Sequence, residues 1–535
     1  MINFTKFKDI PNYNIFLVLL IFLVIISKLL FYFSGFILED SFIVFRSAFN
    51  FADFNNFSFN LDEKNHTGVT SKVFGLICYI FRIIFGDYAS LAIIFFNSVL
   101  SLFASIFFYL SFSNLINEND NYIEKFFLLL FVLLFNPTIL IIGITGLEYA
   151  LVIFFMSLIF FYIFNNNNNY FLLFGAAMLP ATRFELIAVN LIFIFVFLIY
   201  RDRKWLYLLI FSIMGLIFNF ALNLYFDNSI FPSSAISKWM TLSKTNHYEL
   251  KNLFEYFSLW FLFSKSFFMG VTSKYVPNIF YFLISITILF LVFKKFLYIN
   301  IFKYKLEEKK YRITLLICAL NIFFVPLSYV ISGHAFSWYF FPFSFLTYVF
   351  LTIIFINSSI YRSKYFKFCL TLLISLVVFQ FLILKNIGFQ ENTYRSHVGK
   401  FINENSKNKN TDTLFLEPAG YIPFFAKIKT FDTVGLTSPL IREYRKKDKI
   451  KNWWFNFVYN EKPIFIVERR DVSLEGNVRD GNYVLNQDEL RWFRENYKKI
   501  KSFYYNEYIE KFGGGFKSFY KLGSHSDYYV FKFKG

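Results

Sequence analysis

Charged residues are divided unevenly along this chain, and no other property of the sequence restricts its fold as much. Residues 1–388 hold 28 Lys and Arg with 18 Asp and Glu, about 12% charged; residues 389–535 hold 26 and 18, about 30%. A water-soluble body the size of the first part needs far more surface charge than that. The second part has the make-up of ordinary soluble protein and the length for one small core. Over all 535 residues, hydrophobic types reach 56% and Phe alone counts 84. This excludes a soluble globular enzyme, a disordered chain, a collagen-like fibre and a disulfide scaffold. The expected class is mainly α: a polytopic membrane helical bundle over 1–388, followed by a small extracytoplasmic α/β domain over 389–535.

The net charge of +18 is what basic cytoplasmic loops give a membrane protein, so nucleic acid is not an expected partner. The basic tail suits anionic lipid heads or phosphate. The three cysteines, Cys78, Cys318 and Cys369, lie in apolar runs without metal-ligand spacing.

A helix needs about 20 apolar residues to cross a bilayer. About eleven runs are expected to do so: 14–34, 88–112, 123–141, 147–164, 169–182, 184–200, 205–225, 277–299, 312–332, 339–358 and 366–387. Lys and Arg concentrate in the loops at 201–204, 294–312 and 361–364, whereas the short loops 142–146 and 333–338 have none. The N-terminus is therefore expected in the cytoplasm and the tail outside, in an inner-membrane setting. Two long outer loops, 35–87 and 226–276, are each expected to carry a helix lying in the membrane interface. The Asn run at 165–169 reads as turn filler. In the tail, Thr413–Leu416, Pro463–Val467 and Tyr528–Lys532 have strand character and Arg491–Lys501 helix character. Gly513-Gly514-Gly515 is separated by Phe516 from Lys517-Ser518, so it does not make the Gly-Lys-Ser/Thr of a phosphate loop.

Chemistry is expected at the outer end of the first span, where Glu39 and Asp40 follow directly on apolar residues. Carboxylates at a membrane boundary are costly to desolvate and mark function, although a solvated helix end or an ion pair with Arg46 is the plainer reading. One of the two would serve as general base. Glu148, Arg183, Glu185, Lys238, His334 and Tyr339 fall on the same side. Singly they read as a helix-end charge, a local ion pair, a snorkelling lysine and turn residues; together they suggest a cluster of acids and cations. A divalent metal is not required: Glu39, Asp40 and His66 could ligate one, but they lack tight spacing.

The stretch Glu39-Asp40-Ser41-Phe42-Ile43 with Arg46, Ala48 and Asn50 resembles the Asp-Asp-Ala-Phe-Ile signature of integral-membrane GT-C glycosyltransferases, in particular the terminal arabinofuranosyltransferase group. Gly68-Val69-Thr70-Ser71, Thr145-Gly146-Leu147-Glu148, Thr182-Arg183-Phe184-Glu185, Phe231-Pro232 with Ala235 and Lys238, and Trp338-Tyr339-Phe340-Phe341-Pro342 are similar to further motifs in that family's order. So are Gly420-Tyr421-Ile422 and Asp432 to Pro439 in the tail. Departures include Glu39 in place of Asp and Phe184 in place of Pro.

The resemblance implies transfer of a sugar from a polyprenyl-phosphate donor to a glycan or glycolipid acceptor at the outer face of the membrane, with inversion. Asp40 or Glu39 would take the acceptor proton. Arg183 and Lys238 would offset charge on the leaving phosphate. Arg46, His66, Glu148, Glu185, His334, Trp338 and Tyr339 would contact substrate. Other readings are an oligosaccharide ligase or polymerase, or a transporter or flippase. A transporter should show paired broken helices around a midplane site, which the one-sided placement of the polar groups does not match.

Overall fold

The computed structural model describes residues 13–115, 122–164, 173–242, 306–331, 337–357, 363–447, 452–478, 483–521 and 526–535. The chain is mainly helical. α1 (Tyr13–Phe33), α2 (Glu39–Phe54), α3 (Lys72–Phe85), α4 (Ala89–Phe112), α5 (Tyr122–Phe135), α6 (Pro137–Ile142), α7 (Tyr149–Phe164), α8 (Phe174–Thr182), α9 (Ile187–Ile199), α10 (Lys204–Asp227) and α11 (Ser233–Leu242) come first. α12 (Leu306–Ile331), α13 (Phe341–Ile356) and α14 (Ser363–Gly388) complete the apolar part.

Among the described residues, five helical stretches are long and apolar enough to cross a membrane: Lys72–Phe112, Ile123–Ile142, Lys204–Asp227, Arg312–Tyr329 and Lys364–Asn405. Four shorter apolar helices accompany them, Ile21–Phe33, Tyr149–Ile163, Phe184–Ile199 and Phe341–Ile356. The expectation of about eleven spans is thus corrected. Apolar runs are cut by turns where polar groups need backbone partners, at Gly143–Glu148 before α7 and at Arg183 after α8, so several are too short to span. The described part of the run 169–182 contains the nine-residue α8, and the expected span 277–299 lies outside the described residues.

α10 is amphipathic in the sense opposite to a soluble helix. It buries Ser212, Gly215, Asn219 and Asn223 and exposes Ile210, Ile213, Ile217 and Phe218. Asn219 donates to the Ala181 carbonyl at 2.8 Å and Asn223 to Asn219 Oδ1 at 2.8 Å. A Cβ on Gly215 would sit 1.8 Å from the Ala177 carbonyl oxygen, so α8 and α10 touch backbone to backbone. Polar and small residues inside with branched apolar ones outside suit a lipid solvent.

The segment 35–87, expected as an outer loop, contains α2 and α3. α3 buries Val73, Phe74 and Cys78 and exposes Ile80, Ile83 and Ile84. Of the second expected outer loop, α11 is described; the rest, including the segment around Phe254–Phe268, lies outside the described residues.

Among the described residues, the buried apolar side chains fall into four clusters: one running from Val24 to Leu384 and taking in Tyr421, two beginning at Phe389 and Phe415, and a small one of Ile43, Phe59 and Ala419. The tail is a small α/β body. Its five-stranded sheet has the order β2-β1-β3-β7-β6, with β1 (Thr413–Leu416), β2 (Lys429–Asp432), β3 (Phe465–Glu468), β6 (Tyr497–Phe503) and β7 (Tyr528–Phe533). β1 pairs in parallel with β2 and β3, whereas β7 is antiparallel to β3 and β6. β4 (Asn477–Val478) and β5 (Tyr483–Val484) form a separate hairpin.

The strands expected at 413–416, 463–467 and 528–532 coincide with β1, β3 and β7 to within a few residues. The helix expected over Arg491–Lys501 ends early. α19 (Gln487–Asn496) stops where Tyr497 turns extended, and 497–503 become β6. Around the sheet lie α15 (Ser396–Asn405), α16 (Tyr421–Ala426), α17 (Pro439–Lys447) and α18 (Trp453–Glu461). The tail sits at the end of the helical part where α1 and α14 finish: a Cβ on Gly388 would meet the Ser34 carbonyl oxygen at 2.4 Å. Tyr421 of α16 belongs to the apolar core of the helices.

Candidate functional site

The site begins with the first turn of α2. Leu38 is extended and its N–H donates to the Thr145 carbonyl at 3.0 Å, and the Ser41 hydroxyl donates to the same carbonyl at 2.6 Å. Gly146 is left-handed, and a Cβ there would meet Ser41 Oγ and Phe45 Cζ, each at 3.1 Å. The Thr-Gly-Leu-Glu turn is thereby clamped on α2. Asp40 and Glu148 reach one small cavity, about 40 Å³ in volume and partly open to solvent.

Among the described residues, seven pieces of chain make its walls. They are Asp40, Ile43 and Val44 of α2; Gly68, Thr70 and Ser71 before α3; Leu147, Glu148 and Tyr149 at the start of α7; Arg183, Ser234 and Tyr339; and Leu436 of the tail. Arg183, 5% exposed, donates to Glu148 at 2.8 Å and to Glu185 at 2.7 Å, and to the Tyr149 hydroxyl at 3.2 Å. Its guanidinium lies over the Tyr339 ring, 4.4 Å from the centroid. One guanidinium thus faces two carboxylates, and Asp40 adds a third acid to the wall. Of the residues expected to cluster, Asp40, Glu148, Arg183, Glu185 and Tyr339 lie close together, with Arg183 as their one cation among the described side chains and its charge already met.

Two arrangements hold the walls. Lys72 and Asp227 form an ion pair at 2.7 Å with both side chains 0% exposed. Asp227 also accepts from the Thr67 and Ser233 N–H groups, tying the 66–71 loop to the start of α11. Thr70 and Ser234 then share a hydrogen bond at 2.9 Å. From the tail, the Asp432 carboxylate accepts from the N–H groups of Leu436 and Thr437 and from the Thr437 hydroxyl, curling the segment that brings Leu436 to the cavity. Ser237 of α11 donates to the Gly435 carbonyl at 2.6 Å.

Three expected site residues lie elsewhere. Glu39 turns from the cavity to the tail: Oε1 accepts from the N–H groups of Gly420 (2.7 Å) and Tyr421 (3.0 Å), and Oε2 from Arg395 at 2.6 Å. The ion pair weighed between these acids and Arg46 is made by Glu39 with Arg395 instead. Arg46 donates to the carbonyls of Phe59 (2.9 Å), Pro423 (2.9 Å) and Ile428 (2.7 Å), which makes it a bracket between loop and tail. His66 accepts through Nδ1 from Arg442 at 3.1 Å, while its buried Nε2 has no hydrogen-bond partner among the described residues. Burial, then the Arg442 charge, pull its pKa down to about 4. Burial likewise pushes the nearby Glu63 carboxyl up to about 7.

Glu39, Asp40 and His66 therefore do not converge as a ligand set, and among the described residues no group of three or more His, Cys, Asp or Glu is placed to hold a metal ion. Lys238 follows Ser234 by four residues on α11, hence on the same helical face. Trp338 belongs to the short helix Ser337–Phe340. The side chains of both, and all of His334, lie outside the described residues.

The wall residues Thr70, Ser71, Tyr149, Ser234 and Leu436 were not singled out in the sequence. All five lie in or beside the quoted motifs, which was the available signal. Arg395 has no such signal, because its partner is 356 residues away.

Residues 385–531 match a family described as a domain of unknown function (DUF8728). The match covers the tail alone and starts close to where the buried clusters divide. The chain matches no curated protein and no solved structure.

Proposed function

We propose that the chain is a membrane glycosyltransferase that moves a sugar from a polyprenyl-phosphate donor to a hydroxyl of a glycan or glycolipid acceptor. The observation that carries this reading is that Asp40, Glu148, Arg183, Tyr339 and the N-terminal end of α11 line one cavity, at the end of the apolar helices where the tail sits. A substrate with an apolar anchor and a charged, sugar-bearing head needs a site at such a boundary.

In this reading Asp40 accepts the proton of the acceptor hydroxyl as its oxygen bonds to the anomeric carbon. The bond from that carbon to the phosphate oxygen breaks on the opposite face, its electron pair leaves with the lipid phosphate, and configuration inverts. Arg183, already met by Glu148 and Glu185, orders the wall under Tyr339 rather than meeting the phosphate alone. The developing phosphate charge falls to Lys238, since the Ser233 N–H at the start of α11 is already met by Asp227. Tyr149 and Tyr339 supply aromatic surface for the sugar. The enzyme sits in the cytoplasmic membrane with its N-terminus in the cytoplasm and its tail outside, a placement supported by the basic loops and by the shared end of cavity and tail.

The test is mass analysis of cell-surface glycans. Asp40→Asn is expected to remove one sugar residue's mass at unchanged protein level, with transfer reduced on the order of 10²- to 10⁴-fold. Full transfer by this variant rules out Asp40 as the base.

A further inference from the structure

Glu39 and Asp40 are neighbours on a helix, so their side chains leave the axis about 100° apart. Asp40 faces the cavity and Glu39 faces the tail. We infer that Glu39 is a positioning residue through which the tail sets the first turn of α2 and hence Asp40. This inference rests on the glycosyl-transfer reading above.

The tail grips that turn from several directions. The Glu39 carboxylate receives three hydrogen bonds, from the Gly420 and Tyr421 N–H groups and from Arg395. Gly420 is required by the approach: a Cβ there would lie 2.2 Å from the Glu39 carbonyl oxygen and 2.6 Å from Oε1. Tyr421 donates its hydroxyl to the Ile37 carbonyl at 3.1 Å, on one side of the acid pair, and sets its ring 4.0 Å from that of Phe42, on the other.

Arg395 in turn donates to the Tyr528 hydroxyl at 3.0 Å and to Glu391 at 3.3 Å. Tyr528 is on β7, inside the sheet. A continuous path therefore runs from the tail sheet through Arg395 and Glu39 to the residue beside Asp40. An ion pair serving only to hold two bodies together could lie anywhere on their interface; this one is next in sequence to the proposed base and completes its carboxylate with main-chain donors. A carboxylate so occupied is turned to the tail and not to the cavity, which separates the roles of the two acids.

The experiment uses the full-length protein in lipid nanodiscs, with hydrogen exchange followed at Gly420 and Tyr421, and surface-glycan transfer measured in cells. Glu39→Ala is expected to speed exchange at these two amides on the order of tenfold to a hundredfold, the range for losing hydrogen bonds to a charged group. It should lower transfer at least about tenfold, while Glu39→Gln, which still accepts from the amides, keeps more transfer than Glu39→Ala. Asp40→Asn should leave exchange unchanged.

Unchanged exchange in Glu39→Ala overturns the inference, as does wild-type transfer by that variant. So does a Glu39→Gln protein as inactive as Asp40→Asn with normal exchange, which would make Glu39 a direct participant. If Glu39→Ala does not fold, Arg395→Gln probes the same path from the tail side with the same expectations: faster exchange and reduced transfer support the inference, and either one unchanged overturns it. Full transfer by Asp40→Asn together with fast exchange in Glu39→Ala would instead defeat the glycosyl-transfer base and leave the latch standing.

Discussion

His66 shows how one side chain reports on the packing around the cavity. It is buried and next to Arg442, and both effects disfavour its charged form, holding its pKa near about 4 against about 6.5 for a free histidine. The folded protein thus binds fewer protons than the unfolded chain between those values, so stability is retained above about 6.5 and lost as pH falls toward 4. The loss amounts to about 3 kcal/mol at most. Glu63, pushed up to about 7 by burial, titrates with the opposite sign over the same range, so the measure is a difference between proteins. In thermal melts in nanodiscs from pH 7 to pH 4, His66→Phe should lose less stability on acidification than wild type, and an identical pH dependence of the two would count against the assignment. Residue type marked Asp40, Glu148 and Arg183 in the sequence, since charge beside apolar runs is costly and therefore conspicuous. The different fates of Glu39 and Asp40 were not legible, because two acids at adjacent positions look alike until their long-range partners are placed.

At the scale of elements, α10 is the clearest case of a helix shaped for lipid. Its inward face carries Ser212, Gly215, Asn219 and Asn223, and Gly215 meets the α8 backbone with no room for a methyl group. Gly215→Ala must push the helices apart, and because the obstacle is a carbonyl rather than a flexible side chain, a cost of about 1–3 kcal/mol is expected. A thermal-shift comparison in nanodiscs checks this; a variant as stable as wild type would mean that α8 and α10 do not approach as described. Helix positions were largely readable from apolar runs. Their lengths were not, since the turns at Gly143–Glu148 and Arg183 depend on partners in α2, α7 and each other. The same limit explains Arg491–Lys501: its residues favour a helix, but pairing with β7 draws 497–503 into the sheet.

At the scale of the molecule, the division in charge near residue 388 foretold two kinds of structure, and the buried clusters divide at nearly the same place. It did not foretell that the tail would enter the apolar core through Tyr421 and the cavity through Leu436. Such contacts join residues hundreds of positions apart and leave no periodic trace. The proposed placement of the tail outside the cell is checked with single cysteines at the exposed positions Leu474 and Val484. Leu474→Cys and Val484→Cys should each react with a membrane-impermeant maleimide on intact cells. Reaction only after permeabilisation would put the tail in the cytosol and reverse the orientation.

Leu436 completes a wall whose other members come from residues 40 to 339. In order of synthesis the helices of the apolar part all precede that leucine. The cavity therefore lacks one wall until the segment around Leu436 has been made and has folded back against the helices.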